Sequence, residues 1–383
     1  MTQVTGTAHQ SESFVDAAKS LTKVFAERAS DNDENDQFVA ENYADLKTAG
    51  LISASVPSDL GGGGASIREL CDILKIIGVA CGSSGLALSL HTHQVAVLAW
   101  RWYNQEAARD LVAPLLRRVA DEKIVLLSSG GSDWLGGSGV AEKVEGGYRI
   151  TARKVFSFGA PAGDTMMTGA ITEEDGERSV LHFGVSMSAP EVTILDTWRT
   201  LGMRGTGSHD VKIDGLFIPD DKIPMRRKAG EWHPEFHMIA TIAFPLIYSV
   251  YLGVAQSARD IAIDIAKIRL ESHRTQSIAG RMGSALTGAH LARDYVIGVA
   301  ERNAPSAQTI NDPMIGRRLV EEQTIKVVEL AMELAGGVGL YRKTELEGRF
   351  RDIQVARYRP LQKEVQSEYA GAMALGQSVA HIF

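Results

Sequence analysis

From Met238 to Ala255 the chain reads MIATIAFPLIYSVYLGVA, eighteen residues without a charge. Such a run has to be taken out of water, and its length reaches that of a membrane span. Thr241, Pro245, Ser249 and two tyrosines interrupt it, however, and the amphipathic run ARDIAIDIAKIRLE follows almost directly. A helix buried in the middle of a helical bundle accounts for both features, so no membrane helix is expected. With 383 residues, 44% of them hydrophobic, the chain has the apolar material for such a core and for two or three structural units.

The pattern divides the chain into three blocks. Residues 1–120 read as helical. FVDAAKSLTKVFAERA puts Phe14, Ala17, Leu21 and Val24 at helical spacing, and the period resumes after the four glycines from Gly61 to Gly64. Residues 121–222 read as strands. IVLLSS has strand length, Gly146-Gly147 and Asp175-Gly176 supply hairpin turns, and Tyr148, Ile150 and Ala152 alternate. Short strands with no helices between them imply an antiparallel sheet or barrel. Residues 223–383 are helical again. Asn311-Asp312-Pro313 opens a helix whose seam of Ile325, Val328, Met332 and Ala335 stops at Gly336-Gly337. The fold class is α+β, in the order helices, strands, helices.

Composition and motif spacing remove several functions. A net charge of −7 offers no basic excess to hold nucleic acid. Cys71 and Cys81 form neither a disulfide framework nor a metal-ligand spacing, and the first thirty residues lack a signal-peptide profile, so a cytoplasmic protein is expected. His233 and His237 stand four apart near Glu231 and Glu235, but Pro234 lies between them and no third ligand is evident; no metal site is expected. No glycine fingerprint follows a first strand, which leaves a nicotinamide site without support.

Four segments could carry chemistry: SSGGSDW (128–134), KVFSFGAPAGD (154–164), TWRTLGMRGTGSHDVKIDGLFIPDD (197–221) and ELAGGVGLYRKTELEGRFRD (333–352). Each alone is a weak signal. In this order, and in these blocks, the chain resembles the acyl-CoA dehydrogenase superfamily along nearly its whole length. SSGGSDW is similar to the family's Thr-Glu-Pro-Gly-x-Gly-Ser-Asp loop without the Glu-Pro, LGMRGTGSHDVKIDGLFIPDD to its Leu-Gly-x-Arg and strand segment, and LAGGVGLYR…FRD to its Gly-Gly-x-Gly turn and Arg-Asp. The resemblance implies an N-terminal helical domain, a central antiparallel β-barrel domain, a C-terminal four-helix bundle and a homotetramer. It implies a flavin, with Ser128, Ser129, Phe156 and Ser157 beside the isoalloxazine ring and Gly336 and Gly337 letting a helix end approach the flavin or a neighbouring subunit.

The chain departs from the family pattern in two ways. The positions that hold the catalytic glutamate of ordinary dehydrogenases fall near Pro360 and near Ala243, and neither is a carboxylate. Glu364 is the remaining candidate for a base, about one helical turn too far along. The Phe-Gly of the family's pyrophosphate-gripping Arg-x-x-Phe-Gly is also missing from IRLESHRTQSIAGRMG, where Arg269 and Arg274 are the phosphate candidates. FAD and FMN both stay open. The two departures point to the oxygenase-like side branch of the superfamily, in which a separate reductase supplies reduced flavin to act with oxygen on a small organic substrate. Ser157 and His91 are the candidates for hydrogen bonds to the flavin N5/C4a edge; His93, two residues on, faces another way on a helix. The alternatives are an acyl-CoA dehydrogenase using Glu364 or another base, and a non-catalytic flavin-binding or scaffold member.

Overall fold

The computed structural model describes residues 13–268, 272–306, 309–358 and 362–379. The N-terminal block holds α1 (Phe14–Glu34), α2 (Ala40–Thr48), α3 (Ile67–Ala80), α4 (Gly82–Asn104) and α5 (Arg109–Asp121). Local chemistry sets the starts of α1 and α3. Ser13 accepts a hydrogen bond from the Asp16 N–H, and Ser66 and Glu69 form a reciprocal capping box at the start of α3.

The sheet block runs β1 (Leu126–Ser128), a short α6 (Gly131–Gly136), β2 (Val140–Val144), β3 (Gly147–Lys154), β4 (Thr165–Glu174), β5 (Glu177–Ser186), β6 (Val192–Leu195), β7 (Asp210–Pro219) and β8 (Met225–Lys228). The strand path is β6-β7-β3-β2-β4-β5-β8. Both expected hairpins form, the first with its turn one residue earlier than expected: Val144 pairs with Gly147 around Glu145 and Gly146, and Glu174 with Glu177 around Asp175 and Gly176, with Gly146, Asp175 and Gly176 at positive φ. Two features were not visible in the strand pattern. β4 pairs in parallel with both β1 and β2, and β8 carries the sheet to Lys228, past the expected boundary at 222, by pairing with β5.

The C-terminal block holds α7 (Glu235–Lys267), α8 (His273–Glu301), α9 (Asn311–Ala335), α10 (Leu346–Ile353) and α11 (Lys363–Ala374). The charge-free run is the first half of α7. This helix is long and apolar enough to cross a membrane, but it is buried among α3, α4, α8 and α9. Its contact with α3 is backbone to backbone: a Cβ on Gly253 would stand 2.3 Å from the Lys75 carbonyl oxygen, and one on Gly78 would stand 2.7 Å from that of Val250. α9 begins at Asn311 without a side-chain cap, and it ends as expected at Gly336, where φ is +59°.

Candidate functional site

Where α4, α5, the open edge of the sheet and the first half of α7 meet, they enclose a cavity of about 320 Å³. One wall is apolar: Val112 and Leu115 of α5, Ile239, Ala243, Phe244 and Ile247 of α7, and Met314 of α9. Polar groups come from α4, from the end of β1 and the segment after it, from His182 of β5, and from Trp232 and Tyr248. Among the described lining residues there is no aspartate or glutamate.

Helical geometry decides what α4 contributes. Leu90, His93, Gln94, Val97, Leu98 and Arg101 line the cavity, a spacing of i, i+3, i+4, i+7, i+8 and i+11 that forms one face. His91 is not on it. It is 1% exposed and clamps two distant backbone groups. Its Nδ1 accepts the Leu126 N–H at 2.9 Å, which leaves the proton on Nε2 to donate to the Ile52 carbonyl at 2.8 Å. Burial holds this imidazole down to about 4. The structure therefore gives His91 a structural task between α4, β1 and the turn at Leu51–Ser53, and brings His93 to the cavity instead. His93 Nε2 meets the Gln94 amide nitrogen at 3.0 Å, so its Nδ1–H faces the Ser89 carbonyl at 3.3 Å. Arg101 donates to Glu235 at 2.5 Å, and its Nε is buried with no hydrogen-bond partner.

The segment after β1 supplies Ser128, Ser129, Gly130 and Gly131 to the lining. Alternation along β3 turns Tyr148, Ile150, Ala152 and finally Lys154 inward, so the lysine is wholly buried behind this segment. Lys154 Nζ lies 3.1 Å from both carboxylate oxygens of Asp133 and 2.8 Å from the Ser138 carbonyl. Asp133 also accepts hydrogen bonds from the hydroxyls of Ser129, Ser138 and Thr168. Burial pulls the lysine below its usual value, and the adjacent carboxylate opposes that shift. At the far side of the cavity, Arg227 Nε donates to His182 Nε2 at 3.0 Å. Burial and the arginine's charge hold His182 down to about 3, so it stays neutral at ordinary pH.

The other sequence candidates are dispersed. Ser157 is fully buried beside the cavity wall but outside its lining, with its hydroxyl 3.8 Å from the Met166 sulfur and its N–H on the His209 carbonyl. Phe156 is half exposed, has φ of +54°, and stands edge-on to Trp198 at 5.9 Å. That left-handed residue turns the chain as β3 ends, so Phe158 reaches the cavity in its place. Gly336 and Gly337 lie at the far end of α9 from Met314, roughly 30 Å away at the helical rise. Glu364 is exposed on α11 and outside the lining, and Arg274 of α8 faces Glu333. Arg269 and Pro360 lie outside the described residues. At the level of sequence His93 gives way to His91, and Gln94, Arg101 and Lys154 go unnoticed, yet a signal is there: three polar side chains at helical spacing on an otherwise apolar face, and a lysine at an inward strand position.

Comparison with known proteins shows the family to which this fold belongs. Residues 7–118 match the acyl-CoA dehydrogenase N-terminal domain, and residues 245–367 match the C-terminal domain of the same family. The chain is 27% identical over 372 residues to a pigment production hydroxylase of a Rhodococcus species, an alignment spanning 89% of this chain and 90% of that one. It is 25% identical over 363 residues to an amino sugar nitrososynthase of Streptomyces peucetius, spanning 91% and 89%. An X-ray structure of KijD3 in complex with FMN and a dTDP-linked amino-keto sugar superimposes with a TM-score of 0.84 at 24% identity, covering 95% of this chain and 93% of that one.

Proposed function

The chain belongs to the acyl-CoA dehydrogenase superfamily, and from that premise we propose that it is a flavin-dependent oxidoreductase with oxygenase-like rather than dehydrogenase chemistry. The observation that carries this reading is the absence of a carboxylate from the described cavity lining. Removing the α-proton of an acyl thioester needs a base within hydrogen-bond reach of it. Here the wall of α7 offers Ala243, and Glu364 is exposed outside the cavity.

The residues present suit a flavin. Phe158 can cover a flat heterocycle and the Ser128–Gly131 strip gives hydrogen-bonding groups along one edge, which leaves the end of the cavity walled by α5 and α7, Ala243 included, to the substrate. At Gly130 a Cβ would come to 3.2 Å from the Val155 carbonyl, so glycine keeps this strip close against the end of β3. The flavin-bound KijD3 neighbour supports the same assignment. Reduced flavin supplies the electrons that activate molecular oxygen, and the sequence shows no nicotinamide fingerprint of its own, so a separate reductase is the proposed source.

His93 is the proposed proton-handling group, exchanging a proton at Nε2 once the Gln94 amide turns to the substrate. Arg101, held by Glu235, brings its guanidinium charge to the lining and so favours an acidic group on the substrate. His182, held neutral, orients rather than titrates. The apolar wall excludes water from the reacting groups. In the described lining Arg101 is the one cation. The lining is mainly apolar and aromatic, so the part of the substrate that enters the cavity is proposed to be a compact apolar or aromatic ring.

The test is to reconstitute the protein with FMN and with FAD, chemically reduce it under nitrogen, and follow the flavin spectrum as oxygen is admitted. Octanoyl-CoA is added separately to the oxidised enzyme. Oxygen is expected to be consumed with transfer to an added aromatic substrate. Bleaching of oxidised flavin by octanoyl-CoA without any reductant would overturn the oxygenase reading.

A further inference from the structure

The segment that forms the polar edge of the cavity is poorly suited to hold a single shape. Between Ser129 and Gly139 it contains Gly130, Gly131, Gly136, Gly137 and Gly139. Glycines lose the most backbone freedom on being fixed. Outside the helical bonds within α6, the backbone ties of the stretch are Gly130 N–H to the Val155 carbonyl, Asp133 N–H to that of Gly130, Gly137 N–H to that of Asp133, and Ile171 N–H to that of Gly139, so its two glycine-rich ends meet the sheet at one bond each.

We propose that Lys154 and Asp133 are positioning residues that clasp this glycine-rich segment, and so hold the Ser128–Gly131 edge in the geometry that receives the cavity's ligand. This rests on the flavin reading of the cavity for the identity of that ligand. The clasp reaches four elements. Lys154 comes from the end of β3. Its ammonium contacts Asp133 in α6, the Ser138 carbonyl and hydroxyl just beyond α6, and the Gly169 carbonyl of β4 at 2.5 Å. Asp133 ties back to Ser129 at the end of β1 and to Thr168 of β4. Both side chains are sealed from solvent, at 0% and 4% exposure. A buried ion pair gives up much of its attraction to desolvation, and an apolar pair of similar volume holds a core as well or better. What an apolar pair lacks is direction. The carboxylate accepts three hydroxyls and the ammonium reaches two carbonyls, and this set of bonds is met in one arrangement of the segment.

The proposal separates stability from positioning, so the experiment measures both. Lys154→Met, Asp133→Leu and the double variant are compared with wild type by thermal melting, by equilibrium titration with FMN, and by hydrogen exchange at residues 128–139 in the unliganded protein. Lys154→Met strands a buried carboxylate and is expected to melt earlier. The double variant is expected to recover most of the wild-type melting temperature. It should still bind FMN at least about tenfold more weakly, because displacement of contact groups is costly even at a distance, and its segment should exchange faster than wild type. Recovery of affinity and slow exchange together with stability would show that the pair only fills space, and would overturn the proposal. If the lysine and aspartate variants do not fold, Ser138→Ala decides: it removes one hydroxyl from Asp133 at a partly exposed position, and unchanged exchange and affinity there count against the clasp. Failure of the wild type to bind FMN or FAD would instead remove the flavin reading, while the exchange measurement on the unliganded chain would still test the clasp.

Discussion

His91 offers the sharpest test of the division between structure and chemistry on α4. Replacing it with leucine removes a donor and an acceptor that both serve buried backbone, the Ile52 carbonyl and the Leu126 N–H. Each backbone group left unsatisfied costs about 1–3 kcal/mol, so His91→Leu is expected to lower stability near neutral pH by about 2–6 kcal/mol. Acid should narrow the gap. The folded imidazole titrates at about 4, against 6.5 when free. Below 6.5 the unfolded chain takes up a proton that the native state refuses, so wild type loses stability as pH falls toward 4 and regains it as pH rises. Weighting the two protonation equilibria gives a loss of about 2 kcal/mol by about pH 5 from this residue alone. A leucine does not titrate, so the variant is spared that loss. Urea unfolding of both proteins at about pH 7.5 and about pH 5 measures the difference and its change. The reasoning fails if His91→Leu unfolds like wild type at neutral pH while losing substrate oxidation, for then the imidazole acts in the chemistry and not in the frame.

Four further outcomes follow from the same geometry. His93→Phe should leave the melting temperature within about 2 °C of wild type while substrate oxidation falls by about 10²-fold, the usual share of a proton-transfer group; oxygen-consumption and product assays read it. Arg101→Met should raise KM for an acidic aromatic substrate more than for its neutral amide, because the described lining loses its one cation; steady-state kinetics on the matched pair decide. Ala243→Phe should fill the substrate end of the cavity and abolish substrate binding while flavin affinity stays within about threefold, since bulk there meets the apolar wall and not the serine strip; paired titrations check it. Gly253→Ala should destabilise by about 3 kcal/mol or more, because the added carbon would sit 2.3 Å from the Lys75 carbonyl; equal stability by denaturant unfolding would show that α3 and α7 can part.

What the sequence determined by itself is the part of the protein written in local periodicity. The charge-free run from Met238 had to be buried, and α7 is buried. The glycines at 146–147 and the Asp175-Gly176 pair had to reverse the chain, and the turns at Glu145-Gly146 and Asp175-Gly176 join β2 to β3 and β4 to β5. The alanine at 243 could never be a base, and the structure leaves it in the cavity wall. What only the tertiary structure decided is which buried face looks into the cavity. His91 and His93 sit in the same apolar helix, and periodicity marks both as buried. Their roles part because Ile52 and Leu126, 39 and 35 residues away, come to the nitrogens of one and not the other. Phe156 and Phe158 are separated in the same way by one left-handed backbone angle, and the parallel pairings of β4 by contacts that no local pattern encodes. Short-range spacing specifies elements and their buried sides. The partners of a buried polar atom come from anywhere in the chain, and those partners determine whether it braces the fold or faces a ligand.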